Sequence, residues 1–423
     1  MHRLRTPERA FIAIDVTFGM SIWVFYLAAI VWWTVELGYG PLQLVILGTT
    51  LEVTALLTEI PTGVVADRFS RKWSVIIAFT FMAIAMILHV VTTNFGVILF
   101  TQALFGLGWT FRSGADIAWL TDELRAEQLA EDPDTSTEEL EEIDTSRIVL
   151  RRHRIGMICS LIAMIPAIIF GRTALRELIL VCGIFLTLST IYLAWAMTDH
   201  FRLGQDSDEH PHSMGEILRD GFSTARGVRS IRMLLIIMVL MGFGAEGLDR
   251  LGLKQFLDEG DFGDDSLVWT GLLFMALAAL GIVVVMLTER QLERGASLAR
   301  LAFGLALTAA LGALVAAVGP VIVIAIGFAL QDPCREALEP VTIAWANRDA
   351  PEKSRATVHS FVAQSYGAGN MLGGLGLAVL AETVGIRWAI FGSAVLWALA
   401  AGVSLIAGDE GRTGSVPQRA EVT

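Results

Sequence analysis

An all-α polytopic membrane protein, with twelve transmembrane helices in two six-helix bundles, is the fold this sequence predicts. Three observations predict it. Hydrophobic residues make up 54% of the 423 and charged ones only 17%, against about 25% charged in soluble proteins. Mean hydropathy is +0.61, with the apolar residues gathered into long blocks instead of alternating with polar ones. Charged pairs in the first half of the chain recur in the second at one nearly constant offset.

Crossing a hydrocarbon core of ~30 Å takes about 20 apolar residues in a helix. Twelve segments qualify: 10–35, 41–66, 73–92, 95–120, 154–171, 176–197, 232–254, 267–288, 298–317, 320–346, 357–381 and 386–407. The first follows a basic start, MHRLRTPERAF, but has no small-residue cleavage site behind it, so it reads as a retained helix. Breaks such as Thr92-Thr93-Asn94 and Val318-Gly319-Pro320 separate hairpin partners. Two polar breaks are longer. Residues 198–231 part six spans from six, giving bundles at 1–197 and 232–423 around a central cytoplasmic loop. The stretch 121–153 holds an acidic insert, 126–146, followed by Arg147, Arg151, Arg152 and Arg154. The insert reads as a solvated excursion, with a regulatory element as the alternative.

Cytoplasmic loops collect Lys and Arg. With both termini inside, only Arg172, Arg176, Lys254 and Arg387 fall outside, Arg112, Arg250 and Arg335 fall within spans, and every other basic residue is inside. That orientation, in the plasma (inner) membrane, is the one adopted here. The net charge of −12 excludes the basic footprint of a nucleic-acid binder. Cys159, Cys182 and Cys334 are scattered through apolar segments and the His residues are dispersed, so no disulfide framework, metal site or cofactor is expected. No nucleophile–base constellation points to an enzyme and no phosphate loop points to an ATP pump.

Asp67-Arg68, after the second span, recurs as Glu289-Arg290 after the eighth, 222 residues on; Arg112-x-x-x-Asp116 recurs as Arg335-x-x-x-Glu339, 223 on. This register suggests a duplicated six-helix unit. The junction of spans 2 and 3 reads Gly63-Val64-Val65-Ala66-Asp67-Arg68-Phe69-Ser70-Arg71-Lys72. It resembles the G-x-L-A-D-R-x-G-R-K loop of the major facilitator superfamily, departing at Val65 and Ser70. The resemblance covers essentially the whole chain. It implies a monomeric secondary transporter whose Gly63, Asp67, Arg68 and Arg71 act as a conformational latch. Gly63 would also admit a close helix.

Ionisable residues inside a bilayer cost roughly 2.5–3.5 kcal/mol each on insertion scales and are functional candidates by default. Asp15, Glu59 and Asp116 are the candidates for proton coupling, because a desolvated carboxyl titrates higher than in water. Asp15 and Glu59 have no basic residue three or four positions away on their own helix, whereas Arg112 and Asp116 are spaced to pair. Glu246, Asp332 and Arg335, with Arg112, Trp23, Tyr26 and Trp109, are candidates to line a substrate cavity. Trp32-Trp33 is assigned to the outer interfacial belt. Gly367, Gly369, Gly373, Gly374 and Gly376 in span 11 read as a close-packing face.

Drug/proton antiporters of the superfamily carry a G-x-x-x-G-P-x-x-G-G array in span 5. Here that span keeps only Gly156 and Pro166. AWLTDE at 118–123 and RATVHS at 355–360 are similar to multidrug and macrolide-type exporters. The expected function is proton-coupled efflux, as an antiporter conferring drug resistance, of a hydrophobic or amphipathic molecule by alternating access. The alternatives are proton-coupled uptake of a small, anionic solute and a non-transporting sensor of the same fold. The orientation has a direct test. A single cysteine introduced at Asp261 should react with a membrane-impermeant maleimide in intact cells, and protection there would reverse it.

Overall fold

The computed structural model describes residues 6–131, 146–171, 174–199, 227–350 and 355–408. Every regular element among them is helical. In order these are α1 (Pro7–Val31, continued by a π-turn at Trp32–Glu36), α2 (Pro41–Arg68), α3 (Arg71–Val91), α4 (Phe95–Arg112), α5 (Ala115–Glu131), α6 (Ser146–Phe170) and α7 (Leu175–Ala196). They continue with α8 (Arg229–Glu246), a π-helical segment (Gly247–Gly252), α9 (Leu253–Gly260), α10 (Ser266–Glu293), α11 (Leu298–Val318), α12 (Val321–Asp349), α13 (Arg355–Thr383) and α14 (Ile386–Ala407).

Local chemistry sets the boundaries. Pro7 and Pro41 open their helices in the first turn, where a missing N–H costs nothing. Ser70, Asn94 and Ser297 cap α3, α4 and α11 by accepting backbone N–H groups with their side chains. The span expected at 95–120 is not one helix. Gly114, at φ +74°, takes a left-handed turn that a side chain would oppose and divides it into α4 and α5. That break leaves Arg112 at the carboxyl end of one helix and Asp116 in the first turn of the next, each where the helix dipole favours its charge.

Nine of the described helical stretches are long and apolar enough to cross a membrane. The three remaining spans of the sequence reading fall short for identifiable reasons. Arg154–Phe170 is a shorter apolar helix, α12 carries Asp332, Arg335, Glu336 and Glu339, and α13 opens on polar residues.

The chain divides into two compact units, residues 1–211 with 261–272, and 212–260 with 273–423. In the first, α1 packs on α6 and α7, and α3 packs on α4 and α7. In the second, α8 packs on α13 and α14, and α11 packs on α12 and α14. The first span of each unit thus rests on its fifth and sixth, and the third on its fourth and sixth. This is the duplication that the offset pairs indicated.

Small residues set the spacing in the second unit. A Cβ at Gly312 would lie 2.6 Å from the carbonyl oxygen of Gly327, and one at Gly327 would lie 2.6 Å from that of Gly312. Ala302, Ala306, Ala309 and Ala313 extend the same tight seam along α11. Gly369 and Gly373 of α13 sit against the backbone of Val239 and Phe243, as expected of a packing face; Gly367 and Gly376 meet nothing within 4 Å. Gly312→Val should therefore destabilise the protein by ~1–3 kcal/mol, as overpacking does, and Gly376→Ala should not. Thermal unfolding in nanodiscs measures both.

Candidate functional site

Four charged side chains from four helices meet inside the first unit. The Arg112 guanidinium reaches Asp15 at 2.6 Å and Asp116 at 3.5 Å; Arg152 reaches Asp116 at 2.9 Å and Asp15 at 3.3 Å. Two carboxylates face two guanidiniums in a closed, charge-balanced box. Aromatic rings support both cations, with Phe18 under Arg112 at 3.9 Å and Phe11 under Arg152 at 4.0 Å. Gly156 makes room for the box, since a Cβ there would approach Asp15 Oδ2 to 3.3 Å.

Arg152 is the member that sequence reasoning left in a loop. The structure starts α6 at Ser146, which brings Arg152 into the bundle and buries it. Its signal was the spacing Arg152, Gly156, Ser160, which places one cation and two small residues on one helical face. Asp15, which has no basic residue three or four positions away on its own helix, takes two partners from neighbouring helices. Glu59 has none among the described residues. Its side chain is exposed and accepts a hydrogen bond from Ser113 Oγ at 3.1 Å, beside the α4–α5 break.

The loop between α2 and α3 is fastened to α5. Arg71 holds both oxygens of Asp122 at 2.8 and 2.7 Å and reaches Asp67 at 3.3 Å. Ser70, besides capping α3, donates to Asp199 at 2.9 Å. Asp122 and Glu123 belong to the AWLTDE run, and Thr198 donates to Glu123 while Trp119 Nε1 donates to the carbonyl of Thr198. Arg68 is exposed, and Gly63, expected to admit a helix, meets nothing within 4 Å in this structure.

The second unit gathers a different cluster at the π-helical segment. Arg335 of α12 binds Asp249 at 2.8 Å, Asp332 at 2.7 Å and Glu336 at 3.3 Å, while Arg250 binds Glu246 at 2.9 Å. The Tyr366 side chain stands within electrostatic reach of Arg335, Asp249 and Glu246. Four carboxylates share two guanidiniums, so this cluster is acid-rich where the box in the first unit is balanced. Asp249 and Arg250 lie in a stretch whose wide helical turn, flanked by Gly247 and Gly252, presents successive side chains in directions an α-helix does not allow.

Among the aromatic candidates, Trp23 and Trp109 are 54% and 42% exposed. Trp109 packs edgewise on Phe18, the ring beneath Arg112, at 5.5 Å, and Tyr26 packs on Phe105. Trp32 and Trp33 correct the reading of an interfacial belt, because both are fully buried. Trp33 Nε1 donates to His89 Nε2 at 2.9 Å, which leaves Nδ1 to donate to Thr101 Oγ1 at 2.6 Å, and Thr101 donates onward to the carbonyl of Ile98. With both ring nitrogens committed among Phe25, Trp32 and Trp33, His89 is a neutral packing element. No group of three or more His, Cys, Asp or Glu able to hold a metal occurs among the described residues.

No family profile matches the sequence. It is 20% identical over 373 residues to an uncharacterised MFS-type transporter, YxaM, of Bacillus subtilis (strain 168), covering 86% of this chain and 85% of the relative. The solved structure of the nucleoside transporter NupG matches with a TM-score of 0.72 at 14% identity, over 95% of this chain and 97% of that one. A POT family transporter in complex with 5-aminolevulinic acid matches at 0.72 and 11%, over 95% and 96%. A bacterial homologue of the lysosomal transporter Spinster matches at 0.71 and 14%, over 95% and 96%. The fold is that of the major facilitator transporters.

On that fold the box of Asp15, Arg112, Asp116 and Arg152 ties the first, fourth and fifth spans together. Removing one member strands a buried charge. Arg152→Leu should cost ~3–5 kcal/mol, and adding Asp116→Leu to it should recover much of the loss. Chemical or thermal unfolding of the single and double variants checks this, and additive losses would deny that the pair acts as a unit.

Proposed function

We propose that this chain is a proton-coupled secondary transporter that exports a hydrophobic or amphipathic small molecule by alternating access. It works as a monomer in the plasma membrane with both termini cytoplasmic. The observation that carries the reading is the excess of carboxylate at the π-helical segment of the second unit. Arg335 there divides itself between Asp249 on another helix and Asp332 and Glu336 on its own. A proton on Asp249 removes the interhelical partner and leaves the intrahelical ones. Arg335 then turns to its own helix, and α12 is released from the π-helical segment that follows α8. Deprotonation restores the tie. Proton occupancy thus selects between two arrangements of the same charges.

Asp15 and Asp116 fit this role less well, because protonating either leaves two buried guanidiniums facing one carboxylate. Their box instead holds spans 1, 4 and 5 as one body. Glu59, exposed and without a cationic partner among the described residues, is the second candidate for the coupling role. Arg71, bound to both Asp122 and Asp67, forms a contact whose making and breaking accompanies the change of access. Trp23 and Trp109, both exposed and the second packed on Phe18, suit a flat apolar substrate.

Uptake of a small polar solute is the second reading. It is favoured by the partly exposed Arg335, a cation able to receive a carboxylate, and by the likeness to a POT family structure that holds 5-aminolevulinic acid.

The experiment begins with a growth-inhibition panel in a pump-deficient host. The compound with the largest resistance shift is then followed in proteoliposomes under an imposed pH gradient. Asp249→Asn should abolish gradient-driven transport and keep downhill exchange, because the amide mimics the protonated acid. Wild-type flux that ignores the gradient would refute coupling, and accumulation in the opposite sense would establish uptake.

A further inference from the structure

The first unit holds a cavity that none of the charged clusters touches. Its volume is about 450 Å³, within the range of small-molecule pockets. It is enclosed by α1, α6 and α7. The sequence makes it by omission. Ala163, Ala167 and Gly171 fall at intervals of four, so one face of α6 presents almost no side chain toward α1 and α7. Pro166 on the same stretch has no N–H to give the carbonyl one turn back.

Three features say what belongs there. The cavity opens onto the membrane-facing surface, because two of its lining residues, Phe170 and Val181, are 75% and 59% exposed on apolar helix faces. Ser21 lines it, is 1% exposed, and its hydroxyl has no hydrogen-bond partner among the described residues. Thr17, one turn earlier on α1, closes its hydroxyl on the carbonyl of Ala13 at 2.8 Å, as such residues do inside membranes. Ser21 does not. The third feature is Glu177, the one carboxylate of the lining, in the first turn of α7 and exposed.

We propose that this pocket binds a lipophilic amine drawn from the bilayer, its apolar body against α6, its ammonium at Glu177 and a hydrogen-bonding heteroatom at Ser21. The walls exclude a wholly polar ligand, since they offer Met20, Val24, Leu178 and Phe185 and little else. A saturated acyl chain would leave the Ser21 hydroxyl unmet, and an anionic head would meet the Glu177 carboxylate. The site lies within one bundle and uses none of the residues assigned to proton coupling, so it binds its ligand whether or not the chain transports.

Native mass spectrometry of the full chain released from phosphatidylcholine nanodiscs tests this. Dodecylamine, dodecanol, dodecanoate and ω-aminododecanol are compared at equal mole fraction in the bilayer. Dodecylamine should be retained about tenfold more than dodecanol, the factor that 1.4 kcal/mol represents, and dodecanoate least of all. Glu177→Gln, a near-isosteric change at an exposed position, should remove that preference. ω-Aminododecanol should exceed dodecylamine several-fold in the wild type and match it in Ser21→Ala. Ala163→Phe should abolish retention of every probe; should that variant fold poorly, the Glu177 and Ser21 comparisons decide alone. Equal retention of amine, alcohol and acid would overturn the proposal, as would an amine preference that survives Glu177→Gln or retention of phospholipid in place of the amine.

Discussion

A guanidinium inside an apolar bundle must be met by carboxylates, and the helices that supply them are then committed to one another. Taking an ion out of water costs several kcal/mol even after relaxation, and only close, well-satisfied partners return it. In the first unit that requirement fixes spans 1, 4 and 5 around Asp15, Arg112, Asp116 and Arg152. The break at Gly114 exists in the service of the same requirement, since it sets Arg112 and Asp116 at favourable helix ends. In the second unit the partners are unequal in number, and one guanidinium is shared between two helices. Balance makes the first cluster rigid. Imbalance in the second is the property that the proposed proton coupling uses.

Packing and charge divide the work between them. Seams of Gly and Ala bring α11 against α12 and α13 against α8 at backbone contact, where lipid offers no hydrophobic drive between helices and dispersion must supply the adhesion. Those seams do not change with pH. The charges of the second unit sit where the helix is least regular, at the π-helical segment Gly247–Gly252 and at the prolines of α12.

Much of this was legible in the sequence, and the exceptions have physical causes. Apolar blocks of membrane length give the all-α polytopic fold and the nine described stretches able to cross a membrane, because hydrocarbon thickness is a one-dimensional constraint that a sequence can meet visibly. The pairs at offsets of 222 and 223 suggest the duplication, and the packing pattern of the helices repeats in the two units. Partnership across helices is different. Asp15 looked solitary because its cations stand on other spans, and Arg152 looked like a loop residue because a stretch of arginines reads first as a cytoplasmic anchor. Trp32 and Trp33 looked interfacial because nothing local announced His89 as an acceptor for an indole N–H. Asp122 was visible inside AWLTDE, yet its pairing with Arg71 depends on how α5 returns past the start of α3. Spacing reveals faces; it does not reveal which faces meet.

The central claim is that the coupled proton resides on the acid-rich cluster of the second unit and not on the balanced box of the first. Infrared difference spectroscopy of the protein in nanodiscs, titrated from acid to alkaline, observes this without any substrate. The high-frequency carbonyl stretch of a desolvated protonated carboxyl, set apart from the bands of the exposed acids, should be lost across the titration in the wild type, be missing from the Asp249→Asn spectrum, and persist in Asp15→Asn. A band lost in Asp15→Asn and intact in Asp249→Asn would move the proton to the first unit and contradict the account.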